Sequence, residues 1–142
     1  MEAVHSNAPV RREQTAIRRV RVSKPIAVAL ADGIIRKEAT VFDYGCGHGA
    51  DLRFLRSRRI KANGWDPHHR AEQKIVPADI VNLGYVLNMI ETLAERSETL
   101  VRAFDLAKKV VVVAVRVESA LEDVDKYEDG VLTRRGTFQK IY

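Results

Sequence analysis

The chain is poor in the residues that mark specialised proteins. One cysteine in 142 residues excludes an internal disulfide and a multi-cysteine zinc site. Aromatic residues make up 6%, too few for an aromatic-rich binding module. No apolar run approaches the roughly 20 residues of a membrane span. The N-terminus, from Met1 to Asn7, lacks the apolar stretch of a signal peptide, so a cytoplasmic protein with no membrane partner is expected. Internal repeats and low-complexity segments are absent as well. What remains is an ordinary globular composition, 46% apolar and 30% charged, in a length that suits one hydrophobic core.

The net charge is +5, and it is unevenly spread. Residues 1–24 carry six basic residues (Arg11, Arg12, Arg18, Arg19, Arg21 and Lys24) against Glu2 and Glu13. Residues 51–74 carry seven (Arg53, Arg56, Arg58, Arg59, Lys61, Arg70 and Lys74) against Asp51, Asp66 and Glu72. Residues 116–129 run the other way, with six acids against two bases. Basic blocks of this kind suit phosphates, and equally suit a solvated helix or arm surface. A basic arm over 1–22 and a folded domain over 23–142 are the expected organisation.

The elements alternate. Ser23-Lys24-Pro25 opens a short helix, with serine as its cap, and Asp32-Gly33 stops it. Thr40–Tyr44 reads as a strand, Ala50–Arg59 as a helix with Leu52 and Leu55 inward, and Ile60–Asp66 as a second strand. Residues 68–78 read as irregular, and Asp79–Leu83 as the next strand. Thr92 and Glu95 have capping-box spacing and open a helix to Lys108-Lys109, with Leu93, Leu100, Phe104 and Ala107 along one side. Val110–Val117 is a nearly continuous apolar run, as in a strand covered on both faces. Strands alternating with helices predict an α/β fold: a Rossmann-like, mostly parallel sheet with helices on both faces. Ligands of such sheets sit beyond the carboxyl ends of the strands.

That is where Gly45-Cys46-Gly47-His48-Gly49 falls, between a strand and a helix. Glycines there let the backbone turn tightly, approach a ligand and leave N–H groups open. Asp66 lies 17 residues beyond Gly49 at the next strand end, where a carboxylate can accept both hydroxyls of a ribose. An adenosine-bearing cofactor is therefore expected. Gly45 to Ala50 satisfies the G-x-G-x-x-A pattern of NAD-binding domains, which keeps NAD as an alternative. Asp43, two residues before the first glycine, argues against it. A carboxylate repels a pyrophosphate and attracts the α-ammonium of S-adenosylmethionine.

The segment Val41-Phe42-Asp43-Tyr44-Gly45-Cys46-Gly47-His48-Gly49 resembles motif I of the class I S-adenosylmethionine-dependent methyltransferases. Gly64-Trp65-Asp66-Pro67 resembles their second-strand acidic motif, and Asp79 to Ile90 their fourth strand and following turn. The wording is closest to the DNA phosphorothioation-associated methyltransferases, in which "VFDYGCG", "GWDP", "DIVNLGYV", a late "GTFQK" and a "TAI" arm (here Thr15-Ala16-Ile17) recur. The similarity runs from about residue 15 to the last residue.

This resemblance implies S-adenosylmethionine as cofactor and specific roles at the matching positions. Asp43 would hold the ammonium; Tyr44, Gly45, Cys46 and Gly47 would wrap the methionine moiety. Asp66 would take the ribose, flanked by Trp65 and Pro67, with Leu83 and Gly84 nearby. Asp79 could reach the adenine region. The substrate it suggests is nucleic acid or a component of a DNA-modification system, with a non-catalytic cofactor-binding or regulatory module as the alternative. Asn82-Leu83-Gly84-Tyr85 stands where amino-methylating DNA enzymes carry Asn/Asp-Pro-Pro-Tyr/Phe, without either proline, so Asn82 and Tyr85 are candidate catalytic residues.

Cys46 reads as a small loop residue rather than a nucleophile. His48, His68 and His69 read as polar loop residues, not metal ligands, and no metal is expected. Against a seven-stranded methyltransferase sheet the chain is short. It is expected to be the cofactor-binding portion of a truncated fold. Unless Thr137–Tyr142 folds back onto it, the Val110–Val117 strand is then left as an open edge for a second copy or a missing C-terminal region.

Overall fold

Thr40–Tyr44 forms β1, Lys61–Trp65 β2, Ala78–Gly84 β3 and Ala107–Ala114 β4 in the computed structural model, which describes residues 9–117 and 124–142. All four pair in parallel, in the order β2-β1-β3-β4. Helix α1 covers Lys24–Ala31, α2 Ala50–Ser57 and α3 Leu93–Leu106. Alternation along the strands sorts the core into two layers. Val41 and Ile80 pack with Ile26, Ala29, Leu52 and Leu55 of α1 and α2. Phe42, Val81 and Leu83 pack on the opposite face with Ala103 of α3. The fold is α/β, with an all-parallel sheet between helices. No helix among the described residues is long and apolar enough to cross a membrane.

The strand-to-helix junctions follow the sequence closely, and the caps do not. The Ser23 hydroxyl makes no cap at α1; the Ser23 N–H instead donates to Asp51 Oδ1 at 2.7 Å. At α3 the Thr92 side chain makes no cap; its hydroxyl donates to Glu95 Oε2 at 3.4 Å, a carboxylate that also accepts from Arg12 of the arm.

At the sheet edge, β4 begins at Ala107, directly after α3, and is the open edge strand expected; what fails is the expected cover on both faces, since Val110 and Val113 are exposed. The expected apolar side of α3 is also outside, with Leu93 69% and Phe104 70% exposed, while Arg96 and Ala103 point inward. With only one neighbouring strand, β4 gives α3 a narrow bed, and a small residue, Ala103, seats the helix on it.

A second sheet, unexpected from the sequence, is antiparallel: β5 (Asp125–Tyr127), β6 (Gly130–Leu132) and β7 (Phe138–Gln139). It takes up Thr137–Gln139, so the C-terminal segment does not pair with β4 along its length. Tyr142 N–H reaches only the Arg116 carbonyl, at 3.1 Å. Of the acidic stretch 116–129, positions 118–123 lie outside the described residues, as do residues 1–8 of the arm. Two side chains fasten the small sheet to the large one. Buried Asn88 accepts from Arg116 N–H at 2.8 Å and donates to the Lys140 carbonyl at 2.5 Å. Buried Arg96 donates to both oxygens of Asp129, at 2.6 and 2.7 Å.

Candidate functional site

The parallel register brings the carboxyl ends of three strands level. Asp43 of β1 is partnered with Gly64 of β2 and Asn82 of β3, and Tyr44 with Trp65. The glycine loop leaves β1 here and folds onto β2: the N–H groups of Gly45 and Cys46 donate to the Trp65 carbonyl at 2.8 and 3.1 Å. Gly45 has φ 85, and a methyl group on it would collide with Val86. Gly64 is required for a different reason. A Cβ there would lie 2.9 Å from the Asp43 carbonyl, the Cys46 side chain and Leu52. The loop and β2 thus meet backbone to backbone.

Asp66 stands at the end of β2, as expected, and is buried. Its carboxylate is turned into the loops. Oδ2 accepts from Gly47 N–H at 3.0 Å, and Oδ1 from His68 and His69 N–H at 2.9 and 3.0 Å. These bonds bind the glycine loop to the segment after β2. A ribose at this carboxylate would share it with three backbone donors.

Asp43 is buried with Asn82 beside it, and Asn82 Nδ2 donates to Asp43 Oδ1 at 2.9 Å. Burial pushes the Asp43 carboxyl up to about 7; the Asn82 bond pulls it down, Asp51 raises it, and Arg19 lowers it. The Asn82 carbonyl oxygen is buried without a hydrogen-bond partner. A carboxyl held up by burial and an orphaned amide oxygen are two acceptors short of a cation. An α-ammonium group meets that need and a pyrophosphate does not. This pair of acceptors therefore fits the ammonium end of S-adenosylmethionine.

Several candidates occupy other places than expected. The Tyr44 ring is buried in the α3-side core, tilted against Trp65 at 5.3 Å between centroids, and the Leu83 side chain is fully buried in the same layer. Both shape the crevice from beneath. Gly84 borders Asn82 and Pro25, Trp65 is half-buried, and Pro67 is exposed. Asn82 is buried and its amide nitrogen is committed to Asp43, which leaves only its oxygen to accept. Tyr85 is half-buried directly after β3, with φ 60, a backbone conformation uncommon for a tyrosine. Asp79 lies at the amino end of β3, where it accepts Thr40 N–H at 3.0 Å, so it cannot reach an adenine at the opposite end of the sheet. The Cys46 thiol is buried and pushed up to about 12, by burial first and then by Asp43 and Asp66. It stays protonated, in keeping with a packing role.

The arm was the least legible part. It turns back across the carboxyl ends of the strands and is pinned at each step. Arg11 N–H donates to the Gly136 carbonyl at 2.7 Å. Arg12 donates to Glu91 at 2.8 Å and, through two nitrogens, to Glu95 at 2.6 Å. A methyl group on Gly47 would sit 3.4 Å from the Ala16 Cβ. Asp51, in the first turn of α2, is buried and ties down the arm's end through Ser23 N–H and Arg19. The only sequence signal for this path was the run of arginines. Compared with protein-family models and with curated proteins, the chain matches none.

Proposed function

We propose that the chain binds S-adenosylmethionine in the crevice at the carboxyl ends of β1, β2 and β3, and that its sheet is Rossmann-like. On this reading it is a cytoplasmic S-adenosylmethionine-dependent methyltransferase acting on nucleic acid or on a component of a DNA-modification system. The observation that carries it is the buried pair Asp43–Asn82, two acceptors short of a cation, beside a glycine loop tied to Asp66. The motif resemblance over residues 41–49, 64–67 and 79–90 points the same way.

When bound, the sulfonium supplies an already activated methyl group. The chain's own residues have positioning work. Asp43 holds the ammonium, with the Asn82 oxygen as second acceptor. The loop at Gly45 and Gly47 lets the methionine chain lie against backbone. Asp66 takes a ribose hydroxyl while keeping the loop in place. Alignment of acceptor, methyl and sulfur supplies much of the acceleration, so no general base is assigned.

One observation favours the non-catalytic alternative: Asn82, the side chain best placed by sequence to polarise an acceptor, is buried with its amide nitrogen bonded to Asp43. Calorimetric titration with S-adenosylmethionine and with NAD tests the shared premise. We expect binding of the former alone, weakened about tenfold or more by Asp66→Asn, which is the loss of one charge-assisted bond. Binding of NAD instead, or an unchanged affinity in Asp66→Asn, overturns the assignment. Transfer of labelled methyl to DNA, RNA or cell extract then separates enzyme from module.

A further inference from the structure

Beside the glycine loop, on the α2 side, lies an open pocket of about 550 Å³ lined by three arginines, two histidines and one acid. Arg18 comes from the arm, His48 from the loop, Arg53 from α2, and His69 and Arg70 from the segment after β2; Glu72 is the one acid. The arm's other pinned arginines have carboxylates: Arg11 has Glu13, Arg12 has Glu91 and Glu95, and Arg19 has Asp51. The three in the pocket make no such ion pair among the described residues; Arg70 interacts with Glu72 only through space. Arg53 and Arg70 both donate to the His48 carbonyl, at 2.8 and 3.4 Å. Among the described residues Arg18 has no side-chain partner.

The His48 and His69 rings lie 4.2 Å apart between centroids, so protonating both would put two more charges side by side. Partial burial, then His69 and Arg18, hold the His48 imidazole below its ordinary pKa, with Arg53 adding to this and Asp66 opposing it. Such a cluster repels itself in the free protein and is relieved by an anion. Guanidinium groups present paired donors that match phosphate oxygens. The three arginines come from three separate segments around an open space, an arrangement that suits successive phosphates better than a single one.

We infer that Arg18, Arg53 and Arg70, with His48 and His69, form a binding site for the phosphodiester backbone of a nucleic-acid strand. The site lies next to the crevice, so a strand held there has its neighbouring nucleotides at the glycine loop. The choice of a strand rests on the functional reading above. The phosphate binding itself needs no cofactor.

Fluorescence anisotropy of the full chain with a labelled single-stranded oligonucleotide, and with its duplex, tests this. Three phosphate contacts predict roughly a 20-fold loss of affinity for the single strand between about 50 and 200 mM salt. The double variant Arg18→Glu/Arg53→Glu should weaken binding about tenfold or more and flatten the salt slope by about 1.4. The control is Lys37→Glu/Lys61→Glu, which changes net charge equally at two exposed lysines outside the pocket. It should lose far less. Arg18→Ala, which breaks no contact of the fold, gives the same direction and decides the matter should the double variant fail to fold.

Equal weakening by the two double variants, or no binding by the unaltered chain at low salt, overturns the proposal. Displacement of the strand by AMP or inorganic phosphate at equal phosphate concentration overturns the strand in favour of a small anion. Cofactor affinity is read separately by calorimetry. Strand binding without S-adenosylmethionine binding sinks the cofactor assignment alone, and the reverse sinks only this site.

Discussion

Asp43 is protonated in the folded chain up to about pH 7, whereas its ordinary value is 3.8. Between these values the native state binds a proton that the unfolded state has released. Stability therefore falls as pH rises through that window, and levels off above it. Asp43→Asn removes the slope: we expect its melting temperature to exceed that of the unaltered chain by ~3 °C or more at pH 8, with little difference near pH 4. The same substitution should abolish calorimetric binding of S-adenosylmethionine. A residue that costs stability in the free protein and is repaid by a ligand is a signature of a site. The aspartate's position before the glycines was legible in the sequence. Its burial with Asn82 was not, because that pairing depends on the register of β1 with β3, thirty-nine residues apart.

At the level of elements, β1 was legible to the residue, since Thr40–Tyr44 is β-branched and aromatic and the loop behind it is glycine-rich. β2, β3 and α2 were legible to within a residue or two for similar reasons. The cover of the last strand was not. Its open edge was expected, but a continuous valine run is the pattern of a strand buried on both faces, and here Val110 and Val113 are exposed. On α3 two stripes compete at helical spacing. The apolar one, Leu93, Leu100 and Phe104, faces outward, while Arg96 is drawn inward by Asp129, an acid from a sheet the sequence did not announce. The exposed Val110 and Val113 lie on β4, which has no strand on its outer side among the described residues, a template for strand addition. We expect concentration-dependent association in light scattering. Val110→Lys should reduce it while changing stability by less than about 1 kcal/mol, because the side chain is already partly solvated. A chain that stays monomeric at high concentration would contradict this.

For the whole molecule, the excess of positive charge is less available than its sum suggests. Within the described arm, Arg11, Arg12 and Arg19 are spent on internal carboxylates, which leaves Arg18 and Arg21 without one. The two pairings of Arg12 join residues 79 and 83 positions apart, a distance at which charge patterning in one sequence carries no information. The doubly bonded Arg12–Glu95 contact raises the guanidinium's pKa and lowers the carboxyl's, so each partner favours the other's charge. Arg12→Ala should therefore loosen the arm, at a cost of about 1–2 kcal/mol for a half-buried pair. The readout is trypsin cleavage at Arg18, Arg19 and Arg21, which should quicken several-fold while the sheet melts nearly as before.

The arm's anchors also fix an order of events during synthesis. Its partners Glu91 and Glu95 emerge from the ribosome some eighty residues after Arg12, and Gly136, which accepts from Arg11, later still. At about 5–20 residues per second the arm waits several seconds for its seat. The stretch made first docks last.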